Sequence, residues 1–320
     1  MDEVQMKSYR IHRKPGVIIM SLLGLFALYL IIENVVVKVS ESKPVFDIPQ
    51  LKKSACFDFE LPDSNISRSL YLNLKSAIAI DNKSKEVLYC YNADEIRPIA
   101  SISKLLTAMV VLDHYRPDSV LTITREDGRS SARSLFRVGD KVRAGDLLHA
   151  ALLQSDNRAA RALARSVAGN YEDFADLMNK KGDEIGLKDT KMYEPTGLDE
   201  RNRSTAADCA RLINAAILNY PEISRITSLK KYTITPVNRK RSKRLVNTNK
   251  MVFSKYRVKA GKTGYIIKSD YCLATILENG AGRQVTVVVL GAPGPQTRFR
   301  EARRLANHAF QRLQSLADSN

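Results

Sequence analysis

The chain has 320 residues, 51 Lys+Arg against 34 Asp+Glu, and a formal net charge of +17. With 44% hydrophobic and 27% charged residues it can bury a substantial core, which excludes global disorder. Four scattered cysteines (Cys56, Cys90, Cys209, Cys272) without a C-x-x-C pair exclude a disulfide scaffold, a zinc ribbon and a thioredoxin-type centre. The four histidines form no H-E-x-x-H, so neither a metal nor a cofactor is expected. The positive surplus points to an anionic partner: nucleic acid, a membrane surface, or a carboxylate- or phosphate-bearing polymer.

Val17 to Ile32 carries no charge, and apolar character resumes at Val35-Val36-Val37. The 21 residues 17–37 would span roughly 31 Å as a helix at ~1.5 Å per residue, enough to cross a bilayer. Lys7, Arg10, Arg13 and Lys14 precede the segment, so the positive-inside bias leaves residues 1–16 in the cytoplasm. A cleaved signal peptide is the alternative, but the stretch is long for one and no small-x-small site follows it. The expectation is a single-pass anchor in the cytoplasmic (inner) membrane, with everything beyond it on the extracytoplasmic, periplasmic side. Residues 38–69, with three prolines in mixed charge, read as a tether. An exported location argues against nucleic acid as the partner.

In the exported part, Ala77 to Ile80 and Val87 to Tyr91 flank the polar turn Asp81-Asn82-Lys83-Ser84, a hairpin signal. Ser101 to Tyr115 reads as a buried helix, with Leu105, Met109 and Leu112 at helical spacing. Two helical patterns between Ala144 and Ala168 are broken at Gln154-Ser155-Asp156-Asn157. An amphipathic helix from Tyr171 ends near Gly186. The turn Glu194-Pro195-Thr196-Gly197-Leu198 follows, then a helix from about Ala206 to Asn219, with Thr205 and Asp208 at capping-box spacing. Val258 to Ile267, Tyr271 to Glu278 and Gln284 to Gly291 are strands, the last two joined by Asn279-Gly280-Ala281-Gly282. Arg298 to Leu316 is a closing amphipathic helix. This order predicts an α/β (α+β) fold: a five-stranded, mainly antiparallel sheet covered by helices, with a helical insertion.

Three short motifs lie on these elements. Ser101-Ile102-Ser103-Lys104 sets a serine and a lysine three apart at a helix start, on one face. The helix dipole and the apolar neighbours both disfavour the ammonium, so a neutral amine could serve as base to the serine. Ser155-Asp156-Asn157 presents a hydroxyl and an amide between two helices, although Ser, Asp and Asn are also the preferred N-cap residues. Lys262-Thr263-Gly264 sits on a strand with Gly261, and two glycines weaken a strand unless another backbone must come close, as a peptide added to a sheet edge would.

Ser-x-x-Lys, Ser-Asp-Asn and Lys-Thr-Gly in this order and context match the signature set of penicillin-binding proteins and serine β-lactamases. The chain from about Ala77 onward resembles the low-molecular-mass penicillin-binding proteins, the serine D-Ala-D-Ala peptidases of the β-lactamase/transpeptidase-like superfamily. Pro98 to Met109 looks like that family's nucleophile region, and Glu194 to Leu198 followed by Asn202 and Ser204-Thr205-Ala206 is similar to another of its segments. No Glu-x-x-Leu-Asn motif is present, which favours a peptidase over a class A β-lactamase. The acidic centre of Ser155-Asp156-Asn157 departs from the Ser-Gly-Asn common in the carboxypeptidases. A chain end about 50 residues after the Lys-Thr-Gly strand and an N-terminal anchor depart from them too.

The resemblance implies a peptidase domain over 70–320, acting on peptidoglycan peptide stems and acylated by β-lactams. It points to the D-alanyl-D-alanine endopeptidase branch; a carboxypeptidase is the alternative, then a β-lactamase or a non-catalytic wall-binding protein. Ser101 would be the nucleophile, Lys104 its base and Ser155 the relay to the leaving amine. Asn157 would bind a substrate amide, Lys262, Thr263 and Gly264 the substrate end, and the N–H groups of Ser101 and Tyr265 the oxyanion.

Between Ile223 and Ser269 there are 14 Lys+Arg and no Asp or Glu, so the other 273 residues carry only +3. The densest part, Arg239, Lys240, Arg241, Lys243 and Arg244, reads as the turn of a polar hairpin leading toward Lys262. It is either a solvated loop or a contact for sacculus carboxylates or lipid head groups. Cys90 and Cys272 fall on strands that would not be neighbours, so buried thiols are expected.

Overall fold

The computed structural model describes residues 57–62, 70–114, 116–128 and 134–318. Residues 1–16, the expected anchor at 17–37, most of the tether and Cys56 lie outside these. Among the described residues no helix is long and apolar enough to cross a membrane. Residues 57–62, expected within the tether, pack on the domain. Phe57 and Phe59 are buried, Lys85 lies 3.7 Å from the centre of the Phe57 ring, and Arg211 donates to the Phe59 carbonyl at 3.1 Å.

β1 (Ser76–Asp81) and β2 (Val87–Tyr91) form the expected hairpin, its turn folded around the Asp81 carboxylate, which accepts from Lys83, Ser84 N–H and the Ser84 hydroxyl. β3 (Arg97–Pro98) leads into a 3-10 turn at Ala100–Ser103 and then α1 (Lys104–Asp113). The short pair β4 (Val120–Thr122) and β5 (Lys141–Arg143) precedes α2 (Ala144–Leu153) and α3 (Asn157–Ala168), the two helices expected around the 154–157 break. α4 (Tyr171–Glu184) closes at Gly186, whose φ of 79° suits glycine. β6 (Arg203–Ser204) pairs with β3, and α5 (Ala206–Asn219) starts at Thr205, whose hydroxyl accepts the Asp208 N–H as the spacing predicted.

α6 (Pro221–Thr227) follows, then the polar hairpin of β7 (Lys231–Ile234) and β8 (Lys243–Val246). β9 (Arg257–Ile266), β10 (Asp270–Glu278), β11 (Gln284–Ala292) and α7 (Thr297–Asp318) complete the domain. Two findings differ from the sequence reading. The α-helix starts at Lys104 rather than Ser101, because Ala100 adopts φ 48° and the chain coils as a 3-10 turn first. The β3–β6 and β4–β5 pairs and α6 had no counterpart in the prediction: strands of two or three residues are too short to show alternation.

The main sheet runs β2-β1-β11-β10-β9, every pair antiparallel. Both faces are covered, so its strands are apolar on both sides. Ile78, Ile80, Ala274, Ile276, Val288 and Leu290 face the helical insertion. Ala77, Ala79, Leu273, Val287 and Val289 face α7, through Phe299, Ala302, Leu305 and Ala309. Cys90 on β2 and Cys272 on β10 are separated by two strands and buried, and burial pushes the Cys272 thiol up. β9 is an edge strand, and it packs on the 3-10 turn at Ala100–Ser103 and on α6.

Candidate active site

α1 is buried from Lys104 through Val111, and the same apolar run strips water from its first residue. Lys104 is 1% exposed. Its Nζ lies 2.9 Å from Ser101 Oγ, 2.6 Å from Asn157 Oδ1 and 2.5 Å from the Thr196 carbonyl. Burial lowers its pKa to about 7, against the opposing pull of Glu194 and Asp156. The left-handed Ala100 turns the chain so that Ser101 Oγ projects toward the lysine, and this hydroxyl also reaches the Thr196 carbonyl at 3.2 Å.

Ser155 also has a left-handed backbone, φ 60°, and stands opposite. The functional and capping readings of its motif are both realised, by different residues. Asp156 is the N-cap of α3: its carboxylate accepts from Ala159 N at 3.0 Å. It turns away from the cleft to take the Leu135 N–H and the Ser134 hydroxyl, both at 2.9 Å. Asn157, the first residue of α3, faces Lys104.

Lys262 on β9 is 1% exposed, and its Nζ donates to Ser155 Oγ at 2.8 Å and to the Thr263 carbonyl at 3.0 Å. Burial, with the nearby charges of Lys104 and Arg298, pushes Lys262 well below the ordinary lysine value. Thr263 shares a hydrogen bond of 2.7 Å with Thr248, which also holds the Leu153 carbonyl. The Tyr265 ring is 49% exposed and stacks on Tyr271 at 4.2 Å. The glycines of this strand answer to neighbours inside the protein. A Cβ on Gly261 would meet the Asn249 amide at 2.2 Å, and one on Gly264 would meet the Ile99 carbonyl at 2.7 Å and Ser101 N at 3.2 Å. Gly264 thus lets the strand press on the nucleophile turn.

All the expected site residues converge: Ser101, Lys104, Ser155, Asn157, Lys262 and Thr263 are linked by the contacts above, with Gly264 and Tyr265 beside them. Sequence reasoning assigned no role to four others: Glu194, Thr196, Thr248 and Arg298. The Glu194 carboxylate accepts from Thr196 N–H and hydroxyl, Leu198 N–H and Asn202 Nδ2, folding the 194–202 loop so that the Thr196 carbonyl meets Lys104. Thr248 braces Thr263. Arg298 on α7 donates to the Gly264 carbonyl at 3.0 Å. The Glu-Pro-Thr-Gly-Leu segment was visible as a turn, but a role carried by a main-chain carbonyl leaves no side-chain signature.

A family model described as D-alanyl-D-alanine carboxypeptidase matches residues 64–294. The chain belongs to this peptidase family. The peptidase is 38% identical over 236 residues to the D-alanyl-D-alanine endopeptidase of Pseudomonas aeruginosa, covering 72% of this chain and 75% of that one. It is 36% identical, with the same coverage, to the D-alanyl-D-alanine endopeptidase of Escherichia coli. Its fold matches the penicillin-binding protein D2 of Listeria monocytogenes in a cefotaxime-bound form, with TM-score 0.68, 30% identity, 76% of this chain and 100% of that one. The Streptomyces K15 DD-transpeptidase gives TM-score 0.69 at 25% identity, over 77% and 100%. The peptidase is therefore a serine-type hydrolase with the penicillin-binding protein fold.

Of the basic residues expected at the hairpin turn, two are engaged within the protein. Arg239 and Lys243 both bind the buried Asp140 carboxylate, at 2.7 and 3.0 Å. Lys240, Arg241 and Arg244 are exposed.

Proposed function

We propose that this peptidase is an exported D-alanyl-D-alanine endopeptidase that hydrolyses peptide cross-links in peptidoglycan through an acyl-serine at Ser101. The observation that carries the chemistry is the way Lys104 divides its bonds. A neutral amine has two N–H donors and one lone pair. In that form the donors go to Asn157 Oδ1 and the Thr196 carbonyl, both pure acceptors, and the lone pair takes the Ser101 hydroxyl at 2.9 Å once its proton turns from the Thr196 carbonyl, 3.2 Å away, to the amine. A pKa of about 7 keeps a large neutral fraction at neutral pH.

Ser101 attacks the D-alanine carbonyl as Lys104 takes its proton, and the N–H groups of Ser101 and Tyr265 receive the oxyanion. Asn157 Nδ2 is the donor left for a substrate amide. Lys262 and Thr263 hold the carboxylate of the residue whose amine departs, and that negative charge favours the ammonium form of Lys262 against its burial. Ser155, oriented by Lys262, relays to the leaving amine the proton that Lys104 took from Ser101, which returns Lys104 to its neutral form. Water then attacks the acyl-enzyme with Lys104 again as base. β-Lactams enter the first half of this sequence and acylate Ser101.

The endopeptidase reading is supported by the two relatives named as endopeptidases at 38% and 36% identity. A carboxypeptidase is the second reading, supported by relatives of that name at 27% identity in Bacillus subtilis and 32% in Escherichia coli. The apolar segment 17–37 would hold the protein in the cytoplasmic membrane with the catalytic domain outside. Fluorescent penicillin should label Ser101, and purified cross-linked muropeptide dimers should be converted to monomers. Release of free D-alanine instead would establish the carboxypeptidase, and a folded protein that takes no label would overturn both.

A further inference from the structure

Outside the catalytic cleft, the β4–β5 and β7–β8 hairpins interlock. Three hydrogen bonds stitch them together: Val237 N to the Lys141 carbonyl at 2.7 Å, and Lys141 N to Asn238 Oδ1 and Asn238 Nδ2 to the Gly139 carbonyl, each at 2.8 Å. Asp140, its side chain 1% exposed, clamps the seam by binding Arg239, Lys243 and the Arg137 N–H. Asp140 is thereby buried, and Arg137, Lys141, Lys240, Arg241 and Arg244 face outward. A solvated loop needs no such framework; a fixed array of cations does.

The junction is tied to both walls of the cleft. Lys243 donates to the Leu135 carbonyl, and Leu135 N–H and Ser134 bind Asp156 of the Ser-Asp-Asn loop. On the other wall β8 leads through Asn247 to Thr248, which grips Thr263. Arg244 is four residues from Thr248, at most about 13 Å along extended chain at ~3.3 Å per residue. Thr263 marks the end of the cleft that holds the leaving residue. In a carboxypeptidase that residue is the last of its peptide. In a cross-link its amine belongs to a second stem, so the leaving half is itself a carboxylate-bearing chain and must continue past Thr263 and Thr248.

We propose that the interlocked β4–β5 and β7–β8 hairpins form an exosite that holds this anionic leaving strand of a cross-linked polymer. The proposal rests on the endopeptidase reading and adds to it a determinant of substrate choice. Lys240, Arg241 and Arg244 touch no group of the catalytic machinery, and Asp140 keeps its partners without them.

The test is the triple variant Lys240→Gln, Arg241→Gln, Arg244→Gln in the full chain. A control, Lys188→Gln with Lys191→Gln, removes charge from a separate groove of about 510 Å3. Penicillin acylation and cleavage of a small soluble peptide should be unchanged in both, which also verifies folding. Digestion of, and sedimentation with, insoluble cross-linked peptidoglycan should fall about tenfold at low salt in the triple variant alone, the gap closing at high salt. Equal digestion by wild type and triple variant, an equal loss in the control, or a loss extending to the small peptide would overturn the exosite. So would loss of binding to phosphatidylglycerol vesicles with sacculus binding intact, which would make the junction a membrane contact. If wild type labels with penicillin but cleaves no cross-linked dimer, the endopeptidase reading and the exosite fall together. If it cleaves dimers and the variant matches it on sacculi, the exosite alone falls.

Discussion

Lys104 Nζ and Asn157 Oδ1 lie 2.6 Å apart although 53 positions separate them in the chain. Through this bond the start of α1 and the start of α3 share one functional group. On the facing side Lys262 and Ser155 repeat the pattern at 2.8 Å. Each lysine thus pairs with a serine, and the Ser155-Asp156-Asn157 loop supplies a partner to both.

The first consequence concerns pH. Protonated Lys104 cannot accept the Ser101 proton, so acid inhibits acylation. The rate of penicillin acylation should fall about tenfold per pH unit below the lysine pKa. It should level off above a pKa of about 7. A stopped-flow profile that is flat from acid to alkaline pH would remove Lys104 as the base.

The same lysine leaves a thermodynamic trace. Its pKa is about 7 in the folded protein against 10.5 for an ordinary lysine. Folding therefore releases protons between those values, and the lysine's unfavourable contribution fades as pH rises through that window. Lys104→Met should abolish acylation, and its Tm relative to wild type should be highest near and below neutrality and decline toward alkaline pH. A Tm difference independent of pH, measured by calorimetry, would contradict this.

Gly264→Ala places a methyl group 2.7 Å from the Ile99 carbonyl and should force β9 off the nucleophile turn. Acylation should fall by more than about tenfold, since misplacement near 1 Å costs that much or more. Gly280→Ala, with no atom within 4 Å of the new methyl, should acylate as wild type does. Equal rates in the two variants would show that the strand does not position Ser101.

Asp156→Ala removes a helix cap and the acceptor for Ser134 and Leu135 in one step. Urea unfolding should show a loss of roughly 1–3 kcal/mol. Asp156→Asn, which keeps an acceptor, should recover much of it. An alanine variant as stable as wild type would mean that the carboxylate holds neither the helix nor the loop.

The three motifs and the five-stranded sheet were legible because each rests on side-chain type and spacing. Runs such as Val285 to Leu290 are apolar on both faces of a covered sheet, and the lysines and serines bear the chemistry themselves. Thr196 was illegible as a participant because its carbonyl acts while its side chain binds Glu194. Arg298 comes from the far end of the chain, and only α7 packing on the sheet brings it to Gly264. Asp156 stood out as a departure from Ser-Gly-Asn, but that its carboxylate points into the loop at Leu135 was not visible. The glycines were rightly seen to need a close neighbour, but that neighbour is the nucleophile turn and Asn249.

Ala100 sits at φ 48°, a conformation that glycine adopts without strain and alanine does not. Its methyl group also faces β9, 3.1 Å from where a side chain on Gly264 would begin. The turn holds a strained residue against the strand that carries Lys262. A glycine at position 100 would gain about 1 kcal/mol of ease and lose that methyl contact, which marks one place where making the protein sturdier would make it a poorer peptidase.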